Sequence, residues 1–264
     1  MSKLKIERVA VRNLRHLSRD YYSMCLGPWP KGCRSKPGQF VHVGLPESDI
    51  FFRRALSIAW VDPDRDESHF IFKVFGRGIR LLSRCNKGDE VELLGPLGVP
   101  FKMPKKNETC LLIGGGVGFP PLYFLAYRMI EKGRDPRTIE FFYGGRTSEE
   151  IVERTRLRKL GVKFRPVTDD GSFGEQGLVT EAVTRYLDST PPRNPRIYSC
   201  GPAPMLRATD ELARRYDIPG QVSLEAPMPC GFGVCLGCVV PLRAGGNARV
   251  CTEGPVFEIG EVLL

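Results

Sequence analysis

Apolar and polar positions alternate in short runs along the first part of the chain: GQFVHVGL at 38–45, RALSIAW at 54–60, HFIFKVFG at 69–76 and DEVELLGPLG at 89–98, parted by Gly, Pro and Asp. A period of two broken by turn residues predicts strands, and a series of such short strands predicts a small antiparallel Greek-key barrel. After the polar stretch KMPKKNE at 102–108 the period changes. Apolar strands at 109–116, 138–145, 161–168, 195–201 and 220–226 now alternate with helical repeats opening at Pro120 and Pro121, at 177–187 and at 204–216. In the first repeat Leu122, Leu125, Ala126 and Met129 keep core spacing, and Thr147 with Glu150 has the spacing of a capping box for a helix starting near Ser148. Strand and helix in alternation predict a doubly wound parallel sheet with helices on both faces. The pattern divides the chain into a β-barrel (1–104), an α/β domain (105–222) and a small C-terminal tail (223–264) that follows once the sheet is complete.

Composition narrows the functional classes. With 42% apolar residues over 264 positions, the chain can bury the cores of two ordinary domains. Its longest apolar run, 111–126, is interrupted by Gly114, Gly115, Gly116, Gly118, Pro120 and Pro121, so no membrane span of about 20 residues is expected. The N-terminal MSKLKIERVAVRNL alternates charged with apolar residues and lacks the apolar core of a secretory signal, which predicts a cytoplasmic protein. In a reducing compartment nine cysteines point to thiol or metal chemistry rather than disulfides. The net charge of +9 is spread without an interleaved aromatic stripe. That argues against nucleic acid and for a basic face, part of which holds the phosphates of an anionic cofactor.

Several segments carry candidate chemistry. GGGVGFPP at 114–121 joins an apolar strand to a helix, where the backbone amides of Gly114, Gly115, Gly116 and Gly118 suit a pyrophosphate. It departs from G-x-G-x-x-G, and by itself it is also a plain tight turn. Asp169, in PVTDDGSFGEQG at 166–177, ends the third strand on the edge where open parallel sheets bind ligands; its carboxylate would accept ribose hydroxyls and repel a 2′-phosphate, favouring NAD. The same residues also read as a common Asp-Asp-Gly turn. Cys200 and Gly201 end the next strand with side chains small enough for a flat ring to approach, although a buried core thiol is the usual fate of such a cysteine. In the barrel, Arg54 can fork onto a pyrophosphate while Leu56 and Ser57 lie along a planar ring, the two side chains Arg54 and Ser57 leaving on opposite faces. GRGIRLLSRC at 76–85 reads as a glycine turn into a short helix beside a second phosphate.

Cys230, Cys235, Cys238 and Cys251 follow the spacing C-x4-C-x2-C-x12-C. Structural zinc sites usually pair two C-x2-4-C motifs, whereas this run has the plant-type iron–sulfur spacing of a [2Fe–2S] cluster, with zinc as the lesser alternative. Gly231, Gly233 and Gly237 between the ligands relieve crowding and leave amides free for the sulfurs.

Taken in order, R-x-x-S, GGGxG-x-P, T-D-D-G, C-G-P-x-P-M and C-G-x-G-x-C-x-x-C…C-x-x-G-P-V-F, the chain resembles the electron-transfer subunits of heteromeric NAD-linked dihydroorotate dehydrogenases, within the ferredoxin reductase superfamily. The resemblance covers essentially the whole chain, and the cysteine tail after E-A-P-M is its most specific part. It implies FAD in the barrel, NAD on the parallel domain and a [2Fe–2S] cluster in the tail. Carried over by position, it implies FAD contacts at Arg54, Ala55, Leu56, Ser57, Ile71, Phe72, Lys73, Gly78 and Ile79, cluster ligation by the four tail cysteines, and no general base. It also implies a catalytic partner subunit containing FMN, in a heterotetramer. The family usually has R-P-L-S where this chain has RALS, G-T where it has Gly78-Ile79, and G-P-L-G-N-G-F where it has GPLGVPF at 95–101. Related subunits serve hydrogenases, sulfide dehydrogenases or oxygenases, and a zinc-stapled interaction module without flavin is the alternative from another class.

Overall fold

The computed structural model describes residues 5–46 and 48–264, so the first four residues of the alternating N-terminal stretch lie outside the described residues. Strands β1 (Ile6–Ser18), β2 (Tyr21–Gly27), β3 (Phe40–Gly44), β4 (Arg54–Asp62), β5 (Glu67–Lys73) and, after the short helix α1 (Gly76–Leu82), β6 (Glu90–Leu97) close into an antiparallel barrel in the order β1-β2-β5-β4-β3-β6. Alternate positions point inward, as period-two strands require: Val41 and Val43, Leu56 and Ile58, Phe70 and Phe72, Val91 and Leu93 share one core. Ile79 and Leu82 of α1 join that core.

The rest of the chain runs β7 (Thr109–Gly115), α2 (Phe119–Glu131), β8 (Ile139–Gly145), α3 (Arg154–Lys159), β9 (Lys163–Thr168), β10 (Glu175–Gln176), α4 (Val179–Ser189), β11 (Pro195–Cys200), α5 (Ala203–Arg215) and β12 (Gly220–Ser223). The tail adds a hairpin of β13 (Val239–Pro241) and β14 (Asn247–Arg249), then β15 (Val256–Glu258). The sheet order is β10-β9-β8-β7-β11-β12-β15, parallel from β10 to β12. Leu111 and Ile113 face α4 and α5 on one side, while Cys110 and Leu112 face α2 on the other, which bears out helices on both faces. Helix α2 is buried at every position from Phe119 to Ala126 because it is sandwiched between sheet and barrel, with Phe124 reaching the barrel core.

Two local expectations need correction. The tail does not wait for a finished sheet: β15 pairs antiparallel with β12, Gln221 against Glu258, and supplies the last strand. Its apolar residues Cys238, Val250, Cys251 and Phe257 share a core with Phe40, Leu94 and Leu97 of the barrel and Val222 of the sheet, so the tail is wedged against both. The capping box also fails. The Thr147 hydroxyl accepts from the Glu149 amide at 3.3 Å, but this starts only a single 3-10 turn, Ser148–Glu150, and the α-helix begins at Arg154. The Glu150 carboxylate is drawn away by stronger, charge-assisted partners: the Arg146 guanidinium at 2.6 Å, the Arg146 amide at 3.1 Å and Lys73 Nζ of β5 at 2.8 Å.

That carboxylate therefore bridges sheet and barrel. Burial alone would raise it, yet the bonds from Arg146 and Lys73 bring it down from 4.5 to about 2. A lowered folded value means the bridge contributes fully above pH 4.5 and is lost as pH falls toward 2. Glu150→Gln is expected to cost about 2 kcal/mol at neutral pH. Thermal unfolding followed against pH should show the wild-type advantage disappearing across that acid window, where the variant stays flat.

Candidate functional site

A cleft of about 660 Å3 opens where barrel, sheet and tail meet. One wall is the 54–57 segment of β4, and residues of both parities line it. Ile71, Phe72 and Lys73 from the end of β5 and Gly76 to Ile79 from the first turn of α1 continue that wall. The Arg54 guanidinium lies across Gly78, where a Cβ would sit 2.4 Å from its Nε, so a side chain at position 78 would displace the guanidinium from where it rests. Arg54 Nη2 donates to the Phe52 carbonyl at 2.7 Å, while its buried Nε has no partner among the described residues. A buried cationic donor left unpaired at a cleft wall is suited to an anionic ligand. Ile79 is only 4% exposed and packs into the barrel core, so this position offers apolar packing and no hydroxyl to the cleft.

The opposite wall comes from Val117 and Cys200 at the sheet edge and from Ser223 to Pro229. Gly114 and Gly115 end β7, followed by a 3-10 turn over Gly116–Gly118 that delivers the chain into α2. At Gly118 an added Cβ would fall 1.9 Å from the Cys200 carbonyl oxygen, and at Gly201 one would fall 2.6 Å from Met205 Cε. These glycines let two strand ends approach more closely than side chains permit. Cys200 is fully buried and its thiol is pushed far up by that burial, which makes it an inert wall rather than a nucleophile. Asp169 is exposed at the end of β9 on the same edge, its amide donating to Gly145 O at 3.0 Å.

Pro229 leads directly from the cleft into the cysteine loop. Cys238 and Cys251 are buried with sulfurs 3.3 Å apart, and Cys230 lies beside Cys235, the exposed member of the four. No three of these thiols lie within 4.8 Å of one another among the described residues, so they form two pairs. Burial opposes ionisation of Cys230, but the amides of Cys235, Phe232 and Val234 outweigh it and lower the thiol. The Gly237 amide points at Cys235 Sγ (3.4 Å) and the Cys251 amide at Cys238 Sγ (3.5 Å). Gly231 and Gly233 hold φ of 81° and 83°, which folds the loop so that its amides face inward.

Residues 112–211 match the oxidoreductase NAD-binding domain, and residues 225–263 match the iron-sulfur cluster binding domain of dihydroorotate dehydrogenase B. The electron transfer subunit of dihydroorotate dehydrogenase B (NAD(+)) from Shouchella clausii (strain KSM-K16) is 36% identical over 97% of this chain and 98% of that protein. Its counterpart from Bacillus mycoides (strain KBAB4) is 35% identical over 98% of both. This chain belongs to the electron transfer subunits of dihydroorotate dehydrogenase B. It is thus an oxidoreductase subunit with an NAD-binding and an iron–sulfur-binding domain. Among solved structures, an NADH-dependent reduced ferredoxin-NADP oxidoreductase studied for flavin-based electron bifurcation superposes with a TM-score of 0.86 at 27% identity, over 97% of this chain and 89% of that one. The ferredoxin reductase of carbazole 1,9a-dioxygenase shares the fold, with a TM-score of 0.70 at 24% identity over 81% of this chain and 67% of that one.

Sequence reasoning missed several residues of this dihydroorotate dehydrogenase subunit's site. Glu225 lines the cleft, whose surrounding walls desolvate its carboxyl and raise it. His42 on β3 is 1% exposed, with neither ring nitrogen paired among the described residues, and its ring underlies Gly231, where a Cβ would come within 2.7 Å. Nothing in the alternating run at 38–45 distinguishes this histidine from a core position. Gly231→Ala would meet both the ring and a positive φ that costs about 1–2 kcal/mol. The expected result is a purified protein with less iron per chain than wild type and unchanged barrel packing, read by metal analysis and near-UV circular dichroism.

Proposed function

We propose that the cleft binds FAD, that the two cysteine pairs hold a [2Fe–2S] cluster, and that the C-terminal edge of the sheet presents NAD to the same cleft. The observation that carries this reading is the continuity of the cleft: Val117 and Cys200 at the sheet edge and Pro229, next to the first tail cysteine, line one wall, facing the 54–57 and 71–79 segments across it. Its volume of about 660 Å3 falls within the range of organic cofactor sites. Two separate thiol pairs suit two tetrahedral irons better than one zinc, which would draw all four sulfurs around a single point. FAD bound between these sites would supply the exchange between single electrons and hydride that neither the cluster nor nicotinamide makes alone.

The residues then have separate tasks. Arg54 neutralises and forks the pyrophosphate, while the 54–57 and 71–73 main chains lie along the flavin and Gly78 with Ile79 leaves it space. Gly114, Gly115, Gly116 and Gly118 offer amides to the nicotinamide cofactor's phosphates, Asp169 takes its ribose, and Cys200 and Gly201 let its ring approach. Cys230, Cys235, Cys238 and Cys251 ligate the cluster. The functional divisions are 1–104 for flavin, 105–222 for NAD and 223–264 for the cluster, with β15 lent by the tail to the sheet. The partner is an FMN-containing catalytic subunit that oxidises dihydroorotate, joined in a cytoplasmic heterotetramer of the pyrimidine pathway. Phe232, Val234 and Leu236 are exposed beside the cluster cysteines and form the apolar surface this partner would cover.

Flavin and metal analysis of the purified chain tests the assignment. One FAD and two irons per chain are expected; a colourless protein carrying zinc in the four-cysteine loop would overturn it. Asp169→Asn should narrow the preference for NADH over NADPH by about tenfold, the scale of one charged hydrogen bond, in dye-coupled oxidation of the two cofactors. An unchanged ratio would remove Asp169 from the ribose site.

A further inference from the structure

On the barrel surface away from the cleft, β2 and β5 pair antiparallel with Cys25 directly opposite His69. Glu67 lies two residues before His69 on the same strand, so the pleat turns all three side chains to one face. Their ligand atoms converge: Cys25 Sγ is 3.7 Å from His69 Nε2, and His69 Nε2 is 3.9 Å from Glu67 Oε2. All three atoms lie within 4.8 Å of one another, the one such trio of His, Cys, Asp or Glu ligand atoms among the described residues. The imidazole–carboxylate separation is too long for a hydrogen bond. Both separations approach the edges of a tetrahedron around zinc, about 3.6 Å for sulfur to nitrogen and about 3.4 Å for nitrogen to oxygen at ordinary zinc–ligand lengths.

We propose that Cys25, Glu67 and His69 form a second metal site in this subunit, one that takes a single zinc ion with water in the fourth position. Thiolate, imidazole and carboxylate together suit this borderline-soft cation. The surroundings hold the ligands ready. Trp60 stacks on the His69 ring at 4.5 Å between centroids, and the Arg156 guanidinium lies over Trp60 at 3.9 Å. Cys25 is buried, while the Glu67 and His69 side chains are 18% and 17% exposed, which leaves one side of the trio open to water. Burial keeps His69 neutral down to about pH 4, the form that ligates a metal. Burial, then the nearby Glu67 carboxylate, pushes the Cys25 thiol up to about 12, so its proton leaves to solvent only when a cation takes its place. Bound zinc would tie β2 to β5 beneath the Trp60–Arg156 contact that joins barrel to sheet.

Zinc content of the assembled complex, cluster-loaded in all but the Cys235→Ser control, tests this after incubation with Zn2+ and dialysis against a weak chelator. The expected result is one zinc per chain in wild type, kept in Cys235→Ser, and lost in Cys25→Ser and His69→Gln with iron unchanged. Added Zn2+ should raise the melting temperature of wild type but not of Cys25→Ser. No retained zinc in wild type, or zinc that leaves with Cys235→Ser and stays with Cys25→Ser, would overturn the proposal. Should the cysteine variant fail to fold, the near-isosteric Glu67→Gln decides the matter: zinc affinity is expected to fall at least about tenfold, and unchanged affinity would refute the site.

Discussion

Cys235→Ser is expected to leave a folded, flavin-containing subunit whose dihydroorotate-driven NADH formation falls by at least about a hundredfold. Cys235 suits this test because it is the exposed thiol of the four, whereas Cys238 and Cys251 belong to the packed core between tail and barrel. Exchanging sulfur for oxygen there removes a ligand without opening a cavity. Substitutions of residues that merely support a metal ligand cost 10–100-fold as a rule, so loss of the ligand itself should cost no less. Oxidation of NADH by a dye that draws on the flavin should be unchanged, because the cleft and the sheet edge are untouched. Iron per chain should fall together with coupled turnover. Full coupled turnover in this variant would take the cysteine loop off the electron path.

Gly118→Ala should be the most damaging single methyl group in the NAD-binding half. Its Cβ would lie 1.9 Å from the Cys200 carbonyl oxygen and 2.3 Å from the carbonyl carbon, both main-chain atoms of the interior strand β11. Neither is a flexible side-chain end that could swing aside. Either β11 shifts from β7, breaking the register that pairs Cys200 with Gly114, or the turn into α2 is displaced. Overpacking against backbone costs about 3 kcal/mol, and for a protein of this size that lowers the melting temperature by about 6–12 °C. The Michaelis constant for NADH should rise as well, since the displaced turn carries the amides assigned to its phosphates. A variant that melts with wild type would show that the two strand ends are looser than the packing implies.

The barrel and the alternating sheet were legible because they depend on short-range periodicity: β3 to β9 fall on the runs whose apolar residues recur at two or face a helix. The cysteine loop was legible for a different reason, since its spacing is a covalent constraint that tertiary context cannot alter. What escaped depends on partners distant in the chain. The Thr147–Glu150 pair has capping-box spacing, but Lys73, on another domain, claims the carboxylate. The position of β15 could not be read locally either, because three residues carry too little pattern and their partner strand lies more than thirty residues earlier. His42 sits in an ordinary alternating strand, and only the fold brings Gly231 onto its ring. The trio of Cys25, Glu67 and His69 is likewise assembled by strand pairing across forty-odd residues, a register no motif announces.

On the function proposed above, electrons pass from dihydroorotate to NAD+ through the cysteine loop and the cleft. The direct measurement mixes the purified, cofactor-loaded chain with its dihydroorotate-oxidising partner subunit and follows orotate and NADH together. One NADH for each orotate is expected, formed only when both subunits are present. Orotate formation with NAD+ left unreduced in the complete mixture would contradict it.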